Sequence, residues 1–389
     1  MLFVVGCDSG TPPTARTPQT PTASPFSAAT STIPRALELE QAWGNVKVHT
    51  INVLQPDNRV IVFQNVATPD GEWLLCTSNP REPLDKTTRY SHLCIYNIAT
   101  GQIKILQRLQ SPQSQVMAAA ASNRWVVWSE SADQPNFFDW KMFAYNLQSG
   151  AVRVVAQAAI VNGKPVVSGY PFPSLDGDHL TWGQAVGPIG DTVGYDNAVV
   201  RLADLSTGAV TTIAKKAELP RISWPWAVWH QQVTGTQGVL VVRNLDTGEQ
   251  HETPEPASMQ GLMNLSGSSL TYADTNGIYV VDDITQPTLH PQALSPSPSP
   301  MNAEFPTIND RLIAWDADNM SEVYDRLLHV YVTLPIATGH IETWVGNHTL
   351  LWIDQEAPEQ AAKDPPGWLP LPTIYVLDTR TLPTTLASQ

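Results

Sequence analysis

The sequence predicts an all-β fold, a β-propeller of seven blades with six or eight as alternatives, preceded by a disordered N-terminal tether. Three observations predict it. A short apolar strand ending in an aromatic residue recurs along the chain, and a second strand closing on a turn follows each copy. The composition is that of a β protein with an uncharged polar surface: 15% charged residues, against roughly 25% in ordinary globular domains, with 33 prolines and 13 tryptophans in 389 residues.

The chain opens MLFVVGC, and Val4, Val5, Gly6 and Cys7 are similar to a bacterial lipobox, in which compact residues let a peptidase seat the backbone before a cysteine thiol that takes the lipid. Residues 1–7 are thus expected to be the remnant of a lipoprotein signal peptide with Cys7 as the lipidation site. Only six residues precede Cys7, fewer than a secretory signal needs, so a longer leader is expected upstream. Residues 8–34 hold seven Thr and six Pro with one aromatic, too little apolar surface to offset the cost of ordering. A linker over 8–40 follows, extended at roughly 3.1 Å per residue where it is proline-rich. Residues 41–389 are expected to form a single propeller domain.

The apolar strands are EWLLC (72–76), RWVVW (124–128), HLTW (179–182), WAVW (226–229), SLTY (269–272), LIAW (312–315) and LLW (350–352). Their last residues, Cys76, Trp128, Trp182, Trp229, Tyr272, Trp315 and Trp352, stand 37 to 54 residues apart, a propeller repeat. Next in each unit comes a strand ending in a turn: HLCIYNIATG, KMFAYNLQSG, VVRLADLSTG, VLVVRNLDTG, GIYVVDDIT, VYVTLPIATG (330–339) and TIYVLDTRT. Glycine suits these turns because it takes positive φ without strain. The segment VKVHTINVL (46–54) is available to close the ring by completing the last blade; the tail PTTLASQ is the other candidate.

This pattern resembles the TolB-like propellers of bacterial envelopes, whose blades pair an apolar strand ending in Trp with an IYxxDLxTG strand. The resemblance covers residues from about 45 to the end and implies a fold more than a function. Recurrence of the tryptophans at one structural position points to packing between blades rather than to a sugar-stacking site. Cys76 and Cys94 fall on neighbouring strands of the first unit, and a disulfide between them is expected in an exported protein.

A net charge of −14 without a basic block excludes nucleic acid as a partner. No run of 18 apolar residues is present, so the lipid is the only membrane anchor expected. Hydrolase, zincin, phosphate-loop and C-x-x-C signatures are absent from the sequence. What remains are the connections after each aromatic-ended strand, expected on one face and longest in units one, two, three, six and seven. Binding residues are expected there: Glu130, Phe137, Phe138 and Trp140 in unit two, Tyr195 in unit three, Asp274 in unit five, Asp316, Asp318 and Glu322 in unit six, and Asp354 in unit seven. Phe137, Phe138 and Trp140 read either as a docking patch or as packing on the next blade. No cofactor is expected, although the acidic loop 315–325 offers four carboxylates and Asn319 to a Ca²⁺ ion.

These features predict an extracytoplasmic, monomeric, lipid-anchored module that binds a protein or a cell-wall glycan. The alternative is a glycan-active lyase or glycosidase with Asp316, Asp354, Glu130 and Asp274 at the channel mouth.

Overall fold

A computed structural model describes residues 35–83, 86–133, 137–166, 171–187, 197–234, 237–252, 263–274, 277–294, 304–317, 320–335 and 341–387. Seven antiparallel sheets follow one another along the chain. Blade 1 is Arg59–Ala67, Trp73–Pro80, His92–Asn97 and Ile103–Arg108. Blade 2 is Gln115–Ala121, Trp125–Ser131, Lys141–Asn146 and Val152–Gln157. Blades 3, 4 and 5 start at Ser174–Asp176, Ala217–Ser223 and Asn264–Ser266, and each again has four strands. First strands of successive blades adjoin one another, which makes them the inner wall of the ring.

The aromatic-ended strand is the second strand of every blade, and its terminal residue is at most 4% exposed in all seven. Each of these residues joins an apolar cluster shared with the preceding blade: Trp128 with Leu75 and Leu93, Trp182 with Trp125 and Met142, Trp352 with Leu312 and Val323. Seven such clusters, one per seam, form the core. The tryptophans are therefore inter-blade packing residues, as expected.

Third strands end in a repeated turn whose cause is the Asn or Asp at its start. Asn97 Oδ1 accepts from Thr100 N at 2.9 Å, Asn146 from Ser149 N at 2.9 Å, Asp204 from Ser206 N at 2.7 Å and Asn244 from Thr247 N at 3.0 Å. Four residues on, Gly101, Gly150, Gly208 and Gly248 take φ of 70 to 81° and return an N–H to the Asn or Asp carbonyl. An Asx turn followed by a left-handed glycine is what the N/D-x-x-x-G signature encodes.

Blade 6 departs from the expectation. Its third strand is Met320–Asp325, and VYVT (Val330–Thr333) is its fourth strand rather than its third. The residues that follow VYVTLPIATG supply Ile341–Val345, the innermost strand of blade 7. The stretch 315–325 is accordingly a hairpin joined at 318–319, with Trp315 opposite Glu322 and Asp316 opposite Ser321.

The N-terminal segment closes the ring. Val48–Ile51 is the outermost strand of blade 7, pairing antiparallel with Thr373–Asp378 from Val48↔Leu377 to Ile51↔Ile374. Ala36–Glu38, within the stretch expected to be linker, adds to blade 6 as a fifth, parallel strand opposite Tyr331–Thr333. The helix Leu39–Trp43 joins the two, and Leu37, Leu39, Ala42 and Trp43 are all buried in the blade 6–7 seam. Apolar residues at 37, 39, 42 and 43 explain why the fold begins before the expected boundary at residue 40. Trp43 Nε1 donates to Asp325 Oδ2 at 2.9 Å, and Arg311 donates to the same oxygen at 2.7 Å while reaching Leu382 O and Pro383 O of the tail.

Candidate functional site

Propeller geometry sends the connections between second and third strands, and those between blades, to one face. Short turns occupy the other. The connections between second and third strands run from two residues (235–236 in blade 4, 275–276 in blade 5 and 318–319 in blade 6) to the stretch 355–372 in blade 7. Unit six, expected among the long ones, is short, because the residues read as its loop are paired strands.

The blade 2 connection is clasped by a residue that sequence reasoning missed. Asp139 accepts from Ser131 Oγ and from the N–H groups of Ala132 and Asp133, both at 3.1 Å, joining the two ends of the loop. Burial raises its carboxyl pKa, but the hydrogen bonds from Ser131 and the two backbone groups prevail and hold it below the ordinary value. Phe137, in the left-handed region at φ 52°, and Phe138 are half-buried beside it. Trp140 is 0% exposed and packs with Val127, Met142 and Trp182 between blades 2 and 3. It anchors the loop from below and is no part of a docking surface; its place in a polar stretch hid its burial.

The blade 7 connection lies across blade 1. Arg81 pairs with Asp364, its guanidinium stands 5.3 Å from the centre of the Trp368 ring, and its carbonyl accepts from Leu369 N at 2.9 Å. Glu356 Oε2 accepts from Leu371 N at 3.1 Å. The connections of blades 7 and 1 thus dock on one another.

The expected carboxylates divide. Glu130 is 1% exposed and accepts from Gln110 N and Trp128 Nε1, both at 2.9 Å, so it joins blade 2 to the peptide leaving blade 1. Two residues after the aromatic, Gln184 and Gln231 do the same for later blades, reaching Gln157 O at 3.2 Å and Lys215 O at 2.8 Å. Asp274 and Asp354 occupy this same position in their blades, and Asp354 is 3% exposed. Asp316 accepts from Thr343 N at 3.0 Å, across the blade 6–7 seam. Glu322 is pushed up by burial, with the Trp315 indole donating to it. Alternation along paired strands puts Asp316 and Glu322 on opposite faces of the sheet, so the hairpin does not gather them as cation ligands. Asp325, the fourth carboxylate, is 0% exposed and belongs to the Trp43–Arg311 network. No group of three metal-ligating side chains occurs among the described residues. Cys7, Tyr195, Asp318 and Asn319 lie outside the described residues.

Cys76 and Cys94 stand directly opposite on neighbouring strands, with Sγ atoms 3.2 Å apart and 0% exposure. Burial, then contact with Cys94, pushes the Cys76 thiol well up. A cavity of about 650 Å³ between the N-terminal helix and blade 7 is lined by Glu38, Glu40, Val48, Trp352 and Tyr375.

No family profile and no curated protein matches the chain. Solved structures do. The β-propeller domain of the Trilobed protease from Pyrococcus furiosus, described as having an open velcro topology, matches with a TM-score of 0.52 at 9% identity over 82% of this chain and 93% of that one. The WD40 repeats of RRP9 match at 0.50 with 12% identity over 87% and 99%. TolB from Acinetobacter baumannii matches at 0.37 with 14% identity; the alignment covers 57% of this chain and about half, 51%, of TolB. At these identities the likeness is one of fold: the chain is a seven-bladed β-propeller whose last blade is completed by its own N-terminal strand.

Proposed function

We propose that the protein is an extracytoplasmic, lipid-anchored, monomeric propeller that presents its loop face to another protein or to a cell-wall glycan. The observation that carries this reading is the asymmetry of the ring. One face repeats the same short turns, whereas the other carries connections of unequal length, those of blades 1, 2 and 7 held by different contacts, and variable loops on a rigid scaffold are where recognition concentrates. The lipobox-like VVGC at 4–7 and the Thr/Pro-rich stretch after it support anchorage at Cys7 with standoff from the membrane.

Two measurements test it. Metabolic labelling with a fatty-acid analogue is expected to mark the intact protein and not Cys7→Ser, which leaves the membrane fraction; label retained by the variant refutes the anchor. Proximity labelling and pull-down on native cells, comparing the intact protein with a variant shortened in loops 132–139 and 356–370, is expected to lose one bound species. A protein lost with the loops identifies a docking module, loss of retention on purified cell wall identifies a glycan binder, and equal capture by both forms refutes the loop face as the binding surface.

A further inference from the structure

In a chain of net charge −14, blade 1 gathers cations. Arg59 is 6% exposed at the start of the innermost strand. Its Nε donates to Ser78 Oγ at 2.8 Å, and Nη2 reaches Ser78 O, Tyr90 O at 2.7 Å and His92 Nδ1 at 2.9 Å. The guanidinium is fixed by neutral groups, and Nη1 has no hydrogen-bond partner among the described residues. Arg108 stands opposite His92 in the strand register, exposed, with its guanidinium 4.4 Å from the centre of the Tyr90 ring. Arg89 donates to Asp57 O at 3.2 Å, and the Asp57 carboxylate, 3.8 Å away, is the one acidic group of the cluster among the described residues. Burial first, then Arg59, Arg108 and Arg89, hold the His92 imidazole below its ordinary pKa, with Asp57 opposing.

We propose that Arg59, Arg89 and Arg108, gathered around His92 and Tyr90 on the loop face of blade 1, form a binding site for a doubly charged phosphate-type oxyanion. Three guanidiniums against one carboxylate leave an excess of two positive charges, which matches a phosphate monoester or inorganic phosphate at neutral pH, about −1.5 to −2. Guanidinium forks suit phosphate oxygens, and Arg59 is already held in place, so little freedom is lost on binding. Because Nδ1 accepts from Arg59, the neutral His92 ring carries its proton on Nε2, and an anion seated nearby raises the ring's proton affinity through charge alone.

The test uses the full-length protein, inorganic phosphate as probe, and chloride to hold ionic strength constant. Saturable binding is expected, with Arg89→Gln and Arg108→Gln each weakening it about tenfold, the effect of losing one charge-assisted contact. Both side chains lie toward solvent, and circular dichroism checks that the variants fold. Lys104→Gln, on the outermost strand away from the cluster, is expected to change nothing. The NMR titration midpoint of His92, assigned with His92→Gln, is expected to rise with phosphate. Glycerol phosphate should bind as phosphate does and dimethyl phosphate several-fold more weakly; equal or tighter diester binding overturns the dianion assignment. Asp85 lies outside the described residues, and Asp85→Asn is expected to leave affinity within twofold; a tenfold gain would make Asp85 the counter-ion the cluster serves and overturn the site. Phosphate no better than acetate, or an unmoved His92, also overturns it. The test needs neither partner nor lipid, so its failure is distinct from that of the loop-face reading.

Discussion

The two faces of the ring solve the same problem differently. On the turn face, every blade reuses one device, an Asn or Asp that accepts N–H groups two or three residues on, and neighbouring blades are tied by polar links such as Arg124–Asp178 at 3.1 Å and Arg326–Asp282 at 2.7 Å. The described connections of the loop face share no such turn. Asp139 clasps one loop, Arg81 and Trp368 dock another, and blades 4, 5 and 6 make do with two residues. Repetition stabilises one side of a propeller and leaves the other free to diverge, because seam packing under both sides already holds the blades.

The largest effect is expected where the turn face meets the closure of the ring. Asp325→Ala removes a buried carboxylate shared by Trp43 and Arg311 and strands the arginine, which costs about 3–5 kcal/mol in urea unfolding. On the loop face, Trp140→Ala is expected to cost a similar amount, roughly 3–5 kcal/mol, whereas Phe138→Ala, half-buried two residues earlier, costs about 1 kcal/mol or less. Equal costs would mean that the whole loop is packed core, and the contrast between the faces would fail.

Smaller effects sharpen the comparison. Asp204→Ala is expected to cost about 1 kcal/mol by removing one Asx turn. The Ser206 hydroxyl, followed by backbone N–H groups, lowers the Asp204 pKa to about 2, below the roughly 3.9 of an unfolded aspartate. Its contribution is therefore complete above about pH 4 and is lost as the pH falls through about 2, so the wild-type and alanine curves should converge in acid. His329 occupies the position of the turn glycine in blade 6 at φ 53°, and His329→Gly is expected to stabilise by about 0.5–1 kcal/mol. Least affected is Lys86→Ala on the exposed loop of blade 1, within about 0.5 kcal/mol of wild type.

Opposed strand residues lie within disulfide reach, so the Cys76–Cys94 pair is expected to be linked once exported, as peptide mapping without reductant would show. Two alkylatable thiols would leave the pair as core hydrophobes.

Second strands were legible because burial demands an aromatic at one position, and third strands because a turn demands Asx followed by glycine. The same rule misplaced blade 6. Its true turn, Asp325 to His329, has histidine where glycine was sought, and the Thr338–Gly339 pair further on imitated it. Innermost strands such as QVMAAAA and EFPTI carry no marker, because their place is set by neighbouring blades rather than by local sequence. Glu130 looked like surface chemistry for a related reason: a polar residue two positions after the aromatic reads as exposed until the preceding blade covers it.

Closure by the N-terminal strand also dictates an order of events. Ile51 pairs with Ile374, so the contact that completes the ring spans nearly the whole chain, and chain entropy makes such contacts late and slow. During synthesis, the residues made first must wait, unpaired, for those made last. Until the N-terminal strands dock, the open edges of blades 6 and 7 are exposed to any passing strand, including the same segment of another copy. Tethering the leading end near a membrane would keep that waiting strand beside its own chain.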